Sequence, residues 1–109
     1  MDDDLARRAV ACPGWRWLPG MRYTLPTTSL HGRWKPGLSP HIMPDLNDPA
    51  TVGCLLALVR EAWGCPHLSV VGTSEDWRID AAGGPVGIRD LHSYPSEAAA
   101  LVAALEAAP

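Results

Sequence analysis

The sequence has no phenylalanine and only two tyrosines, so five tryptophans carry most of its aromatic volume. It has no apolar run of the ~18 residues that a spanning helix needs, which excludes a membrane segment. Its cysteines are few and odd in number: Cys12, Cys54 and Cys65 fit no closed disulfide framework. Cys54 and Cys65 lie about three helical turns apart, roughly 16 Å at 1.5 Å per residue, where a disulfide needs alpha carbons within about 7 Å. All three read as reduced thiols of a reducing compartment, acting as small core residues. The N-terminal Asp2-Asp3-Asp4 replaces the positive charge that precedes the apolar stretch of a secretory signal, which predicts a cytoplasmic protein. From Leu5 to Pro44 there is no acidic residue at all.

What is present is 109 residues, 47% of them apolar, with eleven prolines crowded towards the first half. Such a length suits one domain over residues 1–109, with one core and about 65% of the unfolded surface buried. Asp4 to Ala11 reads as a short helix with Leu5, Ala6, Ala9 and Val10 on one face, and Pro13-Gly14 ends it. Trp15-Arg16-Trp17 and Met21 to Thr24 suit two short strands around Pro19-Gly20. From about residue 25 to 44 no period is sustained and prolines and glycines recur, which predicts an irregular loop with at most a short strand near Leu30 to Trp34.

The strongest element follows. Asp48 is placed as an N-cap, Pro49 at the first helical position and Gly64-Cys65-Pro66 as the stop. Between them Val52, Leu55, Leu56, Val59 and Trp63 recur at helical spacing, widened by Leu58 and Ala62, which predicts the central core helix over 48–63. Leu68 to Gly72, Asp76 to Ala81 and Pro85 to Leu91 read as a three-stranded antiparallel meander joined at Ser74-Glu75 and Gly83-Gly84. In its middle strand Trp77, Ile79 and Ala81 alternate with Arg78 and Asp80. An alanine-rich helix over 95–107, with Ala98, Leu101, Val102 and Leu105 inward, completes the chain. The expected fold is a small α+β domain: two main helices packed on a three- to four-stranded antiparallel sheet, plus a short N-terminal helix and a proline-rich loop.

Charge is divided along the chain. Arg7, Arg8, Arg16, Arg22, Arg33 and Lys35 give the segment from Leu5 to Pro44 a charge of +6, and residues 45–109 balance it at −6. Trp15, Trp17, Tyr23 and Trp34 are interleaved with these cations. Aromatic platforms beside cations suit single-stranded nucleic acid, whose bases stack and whose phosphates pair. The same residues suit a protein interface, where Trp and Arg are enriched at hot spots. The plainest reading is that the basic half pairs with the acidic half while the tryptophans pack the core. Candidate binding residues are Trp34, Arg33, Lys35, Trp15 and Arg16. An opposite acidic face, Glu75, Asp76, Asp80 and Asp90, reads as a solvated surface.

Metal and catalytic signals are thin. Cys65-Pro66-His67 is the sole close Cys/His pair, and a zinc site would need His31, His41, His92, Cys12 or Cys54 brought in by the fold. Asp90-Leu91-His92 puts an acid and a histidine on one strand face, but no strained G-x-S-x-G elbow presents Ser93 or Cys12 as a nucleophile. Gly83-Gly84 lies in no phosphate-binding motif. A chain this small leaves little room for a pocket of ~300 Å³ beside its core. No metal, cofactor or catalytic residue is therefore expected.

Three stretches carry a resemblance: Leu5 to Met21, Pro44 to Gly64 and Glu97 to Pro109, above all the central Pro-Asp-Leu-Asn-Asp-Pro-Ala-Thr-Val-Gly-Cys-Leu-Leu-Ala-Leu-Val-Arg-Glu-Ala-Trp-Gly. Together they resemble a group of short bacteriophage- and prophage-associated proteins of unknown activity. The resemblance implies a phage accessory protein in the cytoplasm of a bacterial host and brings no catalytic residue or cofactor with it. The expected function is non-enzymatic protein–protein interaction with a host or phage protein. Nucleic-acid binding through segment 7–35 is the alternative, and a homodimer through an uncovered sheet face fits the same design.

Overall fold

The structure is a computed structural model that describes residues 3–25, 31–38, 42–81 and 91–109. Among these residues three helices and five strands follow in the order α1 (Asp3–Ala11), β1 (Arg22–Thr24), β2 (His31–Arg33), β3 (Met43–Pro44), α2 (Pro49–Trp63), β4 (Ser69–Gly72), β5 (Trp77–Asp80) and α3 (Glu97–Ala107). They make the expected α+β fold, but the sheets are distributed differently along the chain.

Helix α2 begins and ends where its capping residues dictate. Asp48 has extended backbone and its side chain accepts from Thr51 N at 3.0 Å. At the other end Gly64 is left-handed at φ 63°, donating to Glu61 O, while Cys65 N donates to Arg60 O. These two bonds satisfy carbonyls that the last helical turn leaves open, and the left-handed φ favours glycine. Leu55, Leu58, Val59 and Trp63 are buried, as the periodicity requires, and Thr51 joins them with no exposed surface. Helix α3 starts two residues later than the expected span, because Ser96 caps it by accepting from Ala99 N at 3.0 Å. Its small alanines let it lie close to both other helices. Trp63 locks the α2–α3 contact: its Nε1–H donates to Ala104 O at 2.8 Å, within the last turn of α3 where carbonyls lack helical partners. Arg8 ties α1 to the same end of α3 through paired bonds to Glu106 at 2.6 and 3.1 Å. That guanidinium holds the Glu106 carboxyl below its ordinary range.

Two points of the sequence reading are corrected. Trp15 to Trp17 form no strand; β1 instead pairs antiparallel with β2 on one side and β3 on the other, giving the order β2-β1-β3. Strand β1 lies within the expected strand from Met21 to Thr24 and β2 within the short strand allowed near Leu30 to Trp34, while β3 falls in the stretch read as irregular loop. A strand of two residues is too short for alternation to register as a period. In the C-terminal half β4 and β5 form a two-stranded ribbon, with Ser74 and Glu75 in its connection as expected. Beside β5 runs the chain from Leu91 to Tyr94: Ile79 N donates to Leu91 O, and Trp77 and Tyr94 exchange both backbone bonds. Most of the expected third strand, with Gly83-Gly84, lies outside the described residues.

Both sheets pair a glycine with an aromatic ring. Tyr23 stands opposite Gly32 and Trp77 opposite Gly72, each ring covering the backbone that the missing side chain exposes. A Cβ at Gly72 would meet three Trp77 ring atoms at 3.0–3.1 Å. Gly72→Ala is therefore expected to destabilise by about 1 kcal/mol, the lower end of overpacking costs, read as a lowered urea midpoint.

One cluster joins the buried faces of all three helices with Met21, Leu46, Leu68 and Ile79, and Trp15, Trp17, Trp34 and Trp77 pack partly buried against it. No described helix is long and apolar enough to cross a membrane.

Candidate functional site

The candidate residues come from the turn after α1 and from the end of β2. After Cys12 the chain turns, Trp15 N donating to Cys12 O at 3.0 Å, and residues 15–18 run across the core surface. A second turn at Pro19-Gly20, with Gly20 at φ 99°, sends the chain into β1. Trp34 follows β2 and its N–H donates to Met21 O at 2.6 Å, which brings it back against the first segment.

The result is three indoles in series. Trp15 and Trp17 meet edge to face, centroids 5.5 Å apart and planes at 86°. Trp17 and Trp34 stack at 6.4 Å with planes 14° apart. Each ring keeps part of its surface in solvent. Trp17, which links the other two, was absent from the candidate residues. Its signal was the two-residue spacing from Trp15, which lets two side chains share one side of an extended segment. Trp63 and Trp77, by contrast, are committed to the α2–α3 contact and to the Gly72 pair.

The cations beside the rings are differently placed. Arg33 Nη1 donates to Asp48 Oδ2 at 2.6 Å and to Gly20 O at 3.2 Å, and Arg16 pairs with Glu61 at 2.7 Å. Arg8 pairs with Glu106 and Arg22 with Asp45, at 2.6 and 3.2 Å. Four of the six cations in the acid-free segment thus face a carboxylate from residues 45–109, as the plainest reading of the charge pattern has it. Arg7 and Lys35 carry no ion pair among the described residues. Arg33 is also structural, since it holds the Asp48 carboxylate that caps α2. Its hydrogen bond, with those of Thr51, lowers the Asp48 pKa to about 2.

A groove of about 250 Å³ opens beside Trp15, lined by Pro13, Gly14, Trp15 and Arg16 on one wall and Leu58, Glu61 and Ala62 of α2 on the other. Trp15 Nε1 is enclosed and has no hydrogen-bond partner. A cleft of about 340 Å³ lies where the N-termini of the helices meet, between Leu5, Leu46, Pro49, Val52, Ser96 and Glu97. It is larger than so small a chain was expected to hold. Its hydroxyl, Ser96, is engaged in capping α3.

Among the described residues, neither chemistry considered from the sequence gathers around a cavity. His92 Nδ1 lies 3.1 Å from Ser93 Oγ, and Ser93 is a non-glycine residue at φ 69°, but both side chains are exposed and line none of these clefts. Cys12 is buried and its thiol donates to Arg8 O; burial pushes its pKa up, so it stays protonated at neutral pH. The three cysteines are free thiols. Among the described residues no group of three or more His, Cys, Asp or Glu side chains is drawn together. Glu75 and Asp80 are exposed and Asp76 is half-buried, its carboxylate accepting from Thr73 Oγ1; Asp90 and His41 lie outside the described residues.

No family model matches this chain, and no curated protein or solved structure matches it. The described residues define an α+β protein with three helices and a row of partly exposed tryptophans.

Proposed function

We propose that this protein is a non-enzymatic phage or prophage accessory protein that acts by binding a host or phage protein through Trp15, Trp17 and Trp34. The observation that carries this reading is the indole row itself. Three large apolar rings are supported on the core yet left partly in water, where full burial would have stabilised the fold by about 1.5–3 kcal/mol for a large side chain. Indoles so held lose little conformational freedom on binding and make strong interface anchors.

The pairing of the cations weighs against the nucleic-acid alternative. Phosphates drawn to Arg16 or Arg33 would meet Glu61 or Asp48 beside them. Only Arg7 and Lys35 of this segment are left without such a neighbour among the described residues.

Comparative capture tests the proposal. Tagged protein and its Trp34→Ala variant are incubated with nuclease-treated host lysate and the bound fractions compared by mass spectrometry. A stoichiometric protein partner held by the wild type and weakened about 30-fold in the variant, the equivalent of 2 kcal/mol, is the expected result. Partners bound equally by both would overturn it.

A further inference from the structure

We propose that Arg22 and His31 form a pH-sensitive clasp between β1 and β2, closed by the neutral imidazole and released when the ring takes up a proton. The clasp stands on the geometry of the sheet and does not depend on what the indole row binds.

Arg22 Nη2 lies 2.6 Å from His31 Nδ1. A guanidinium has only N–H donors and keeps its charge throughout the pH range of folded proteins, so Nδ1 must be the acceptor. That requirement fixes the state of the ring: it is neutral and carries its proton on Nε2. A protonated ring has an N–H at both nitrogens. It would set a donor against a donor, and one positive charge against another, at hydrogen-bond distance. Imidazole is the side chain whose charge ordinarily changes between about pH 5 and 8, and His31 is exposed, so the proton reaches it from solvent.

The surroundings offer a protonated ring no substitute partner. In the register of the sheet Arg22 stands opposite Arg33 and Thr24 opposite His31, which puts these four side chains on one face. Arg33 takes the Asp48 carboxylate at the start of α2, at 2.6 Å, and Arg22 Nε takes that of Asp45, just after β3, at 3.2 Å. No carboxylate among the described residues pairs with His31. Tyr23, the other titratable side chain of the two strands, lies on the opposite face over Gly32. The face thus balances two arginines with two carboxylates, and a proton on His31 adds a third positive charge to it.

Release matters because β2 is three residues long and leads straight into Trp34. Trp34 donates its N–H to Met21 O at 2.6 Å and stacks on Trp17. With the clasp closed, Arg22 holds the first residue of β2 while the Trp34 bond holds the residue after its last. Opening the clasp leaves the short ladder and the Arg33–Asp48 pair to keep the strand in place, and Trp34 parts from Met21 more often.

The test uses the whole protein and its His31→Asn variant, whose side-chain oxygen takes the place of Nδ1 and does not titrate. Deuterium exchange of the Trp34 backbone amide is compared between the two at the same pH, so that the intrinsic exchange chemistry cancels. The wild type is expected to match the variant at about pH 7.5 and to exchange about fivefold faster at about pH 5, the loss of one hydrogen bond. The Trp63 indole N–H, bonded to Ala104 O, reports that both proteins are folded. A ratio of wild type to variant that is the same at both pH values would overturn the proposal. The wild type alone gives a second reading: long-range proton–nitrogen spectra at about pH 7.5 are expected to show the His31 proton on Nε2. A proton on Nδ1 would overturn it as well.

Discussion

Trp63→Ala is expected to cost about 3–5 kcal/mol, the range for removing a large buried aromatic. Trp63 is 8% exposed, sits at the C-terminal end of α2, and is the side chain by which α2 reaches the last turn of α3. Its loss removes packing against α3 and also leaves Ala104 O without its donor. A domain of this size has a total stability of about 5–15 kcal/mol, so the variant should lose a large share of it and unfold at a much lower urea concentration. Trp63→Phe separates the two contributions. It keeps most of the ring but not the N–H, and should cost about 1–3 kcal/mol for the buried carbonyl left unpaired. Urea unfolding followed by far-ultraviolet circular dichroism measures both. Equal stability of Trp63→Phe and wild type would show that the bond to Ala104 contributes nothing.

The second large effect is at Asp48. Its Oδ2 accepts from Thr51 N, Thr51 Oγ1 and Arg33 Nη1, and Thr51 Oγ1 in turn accepts from Arg22 N at 2.7 Å. One carboxylate, 9% exposed, thus joins the start of α2 to β1 and β2. Asp48→Ala removes an N-cap, commonly worth about 1 kcal/mol, and strands the hydroxyl donor of the fully buried Thr51. The expected total is about 2–4 kcal/mol. Asp48→Asn keeps the cap and loses only the ionic part. The pH dependence has a fixed sign: the folded pKa, about 2, lies below the ordinary 3.8, so the ionised form stabilises the fold fully above about pH 4. That contribution fades as pH falls from 4 through 2. The stability gap between wild type and Asp48→Asn should therefore close over the same window, which urea midpoints at a series of pH values would show.

Helix α2 was legible residue by residue because its signals are local: Asp48, Pro49 and Gly64 act within one turn of themselves. Strand β5 was legible for the same reason, its alternation being four residues long. Strands β1 and β2 were placed, within Met21 to Thr24 and near Leu30 to Trp34, but their pairing and the addition of β3, which consists of Met43 and Pro44 alone, were not. Pairing across such distances leaves no period to read. At the candidate site the charge asymmetry was visible in the sequence, but which carboxylate each cation meets was not. Arg16 finds Glu61 and Arg8 finds Glu106 only because α2 and α3 pack where they do. Trp15 and Trp34 were picked out by composition and neighbours, and the structure joins them through Trp17.

The internal neutralisation of the basic segment is tested most directly by the salt dependence of single-stranded DNA binding, measured by anisotropy of a labelled oligonucleotide between 50 and 200 mM salt. Two unpaired cations give a slope of log K against log salt of no more than about −1.4, and six free cations give about −4.2, at roughly −0.7 per phosphate neutralised. The fold described above predicts weak binding with the shallow slope, unchanged in Trp17→Ala. Tight binding with a slope near −4, lost in Trp17→Ala, would contradict it: the four ion pairs would then open to phosphate, and the indole row would be a platform for bases.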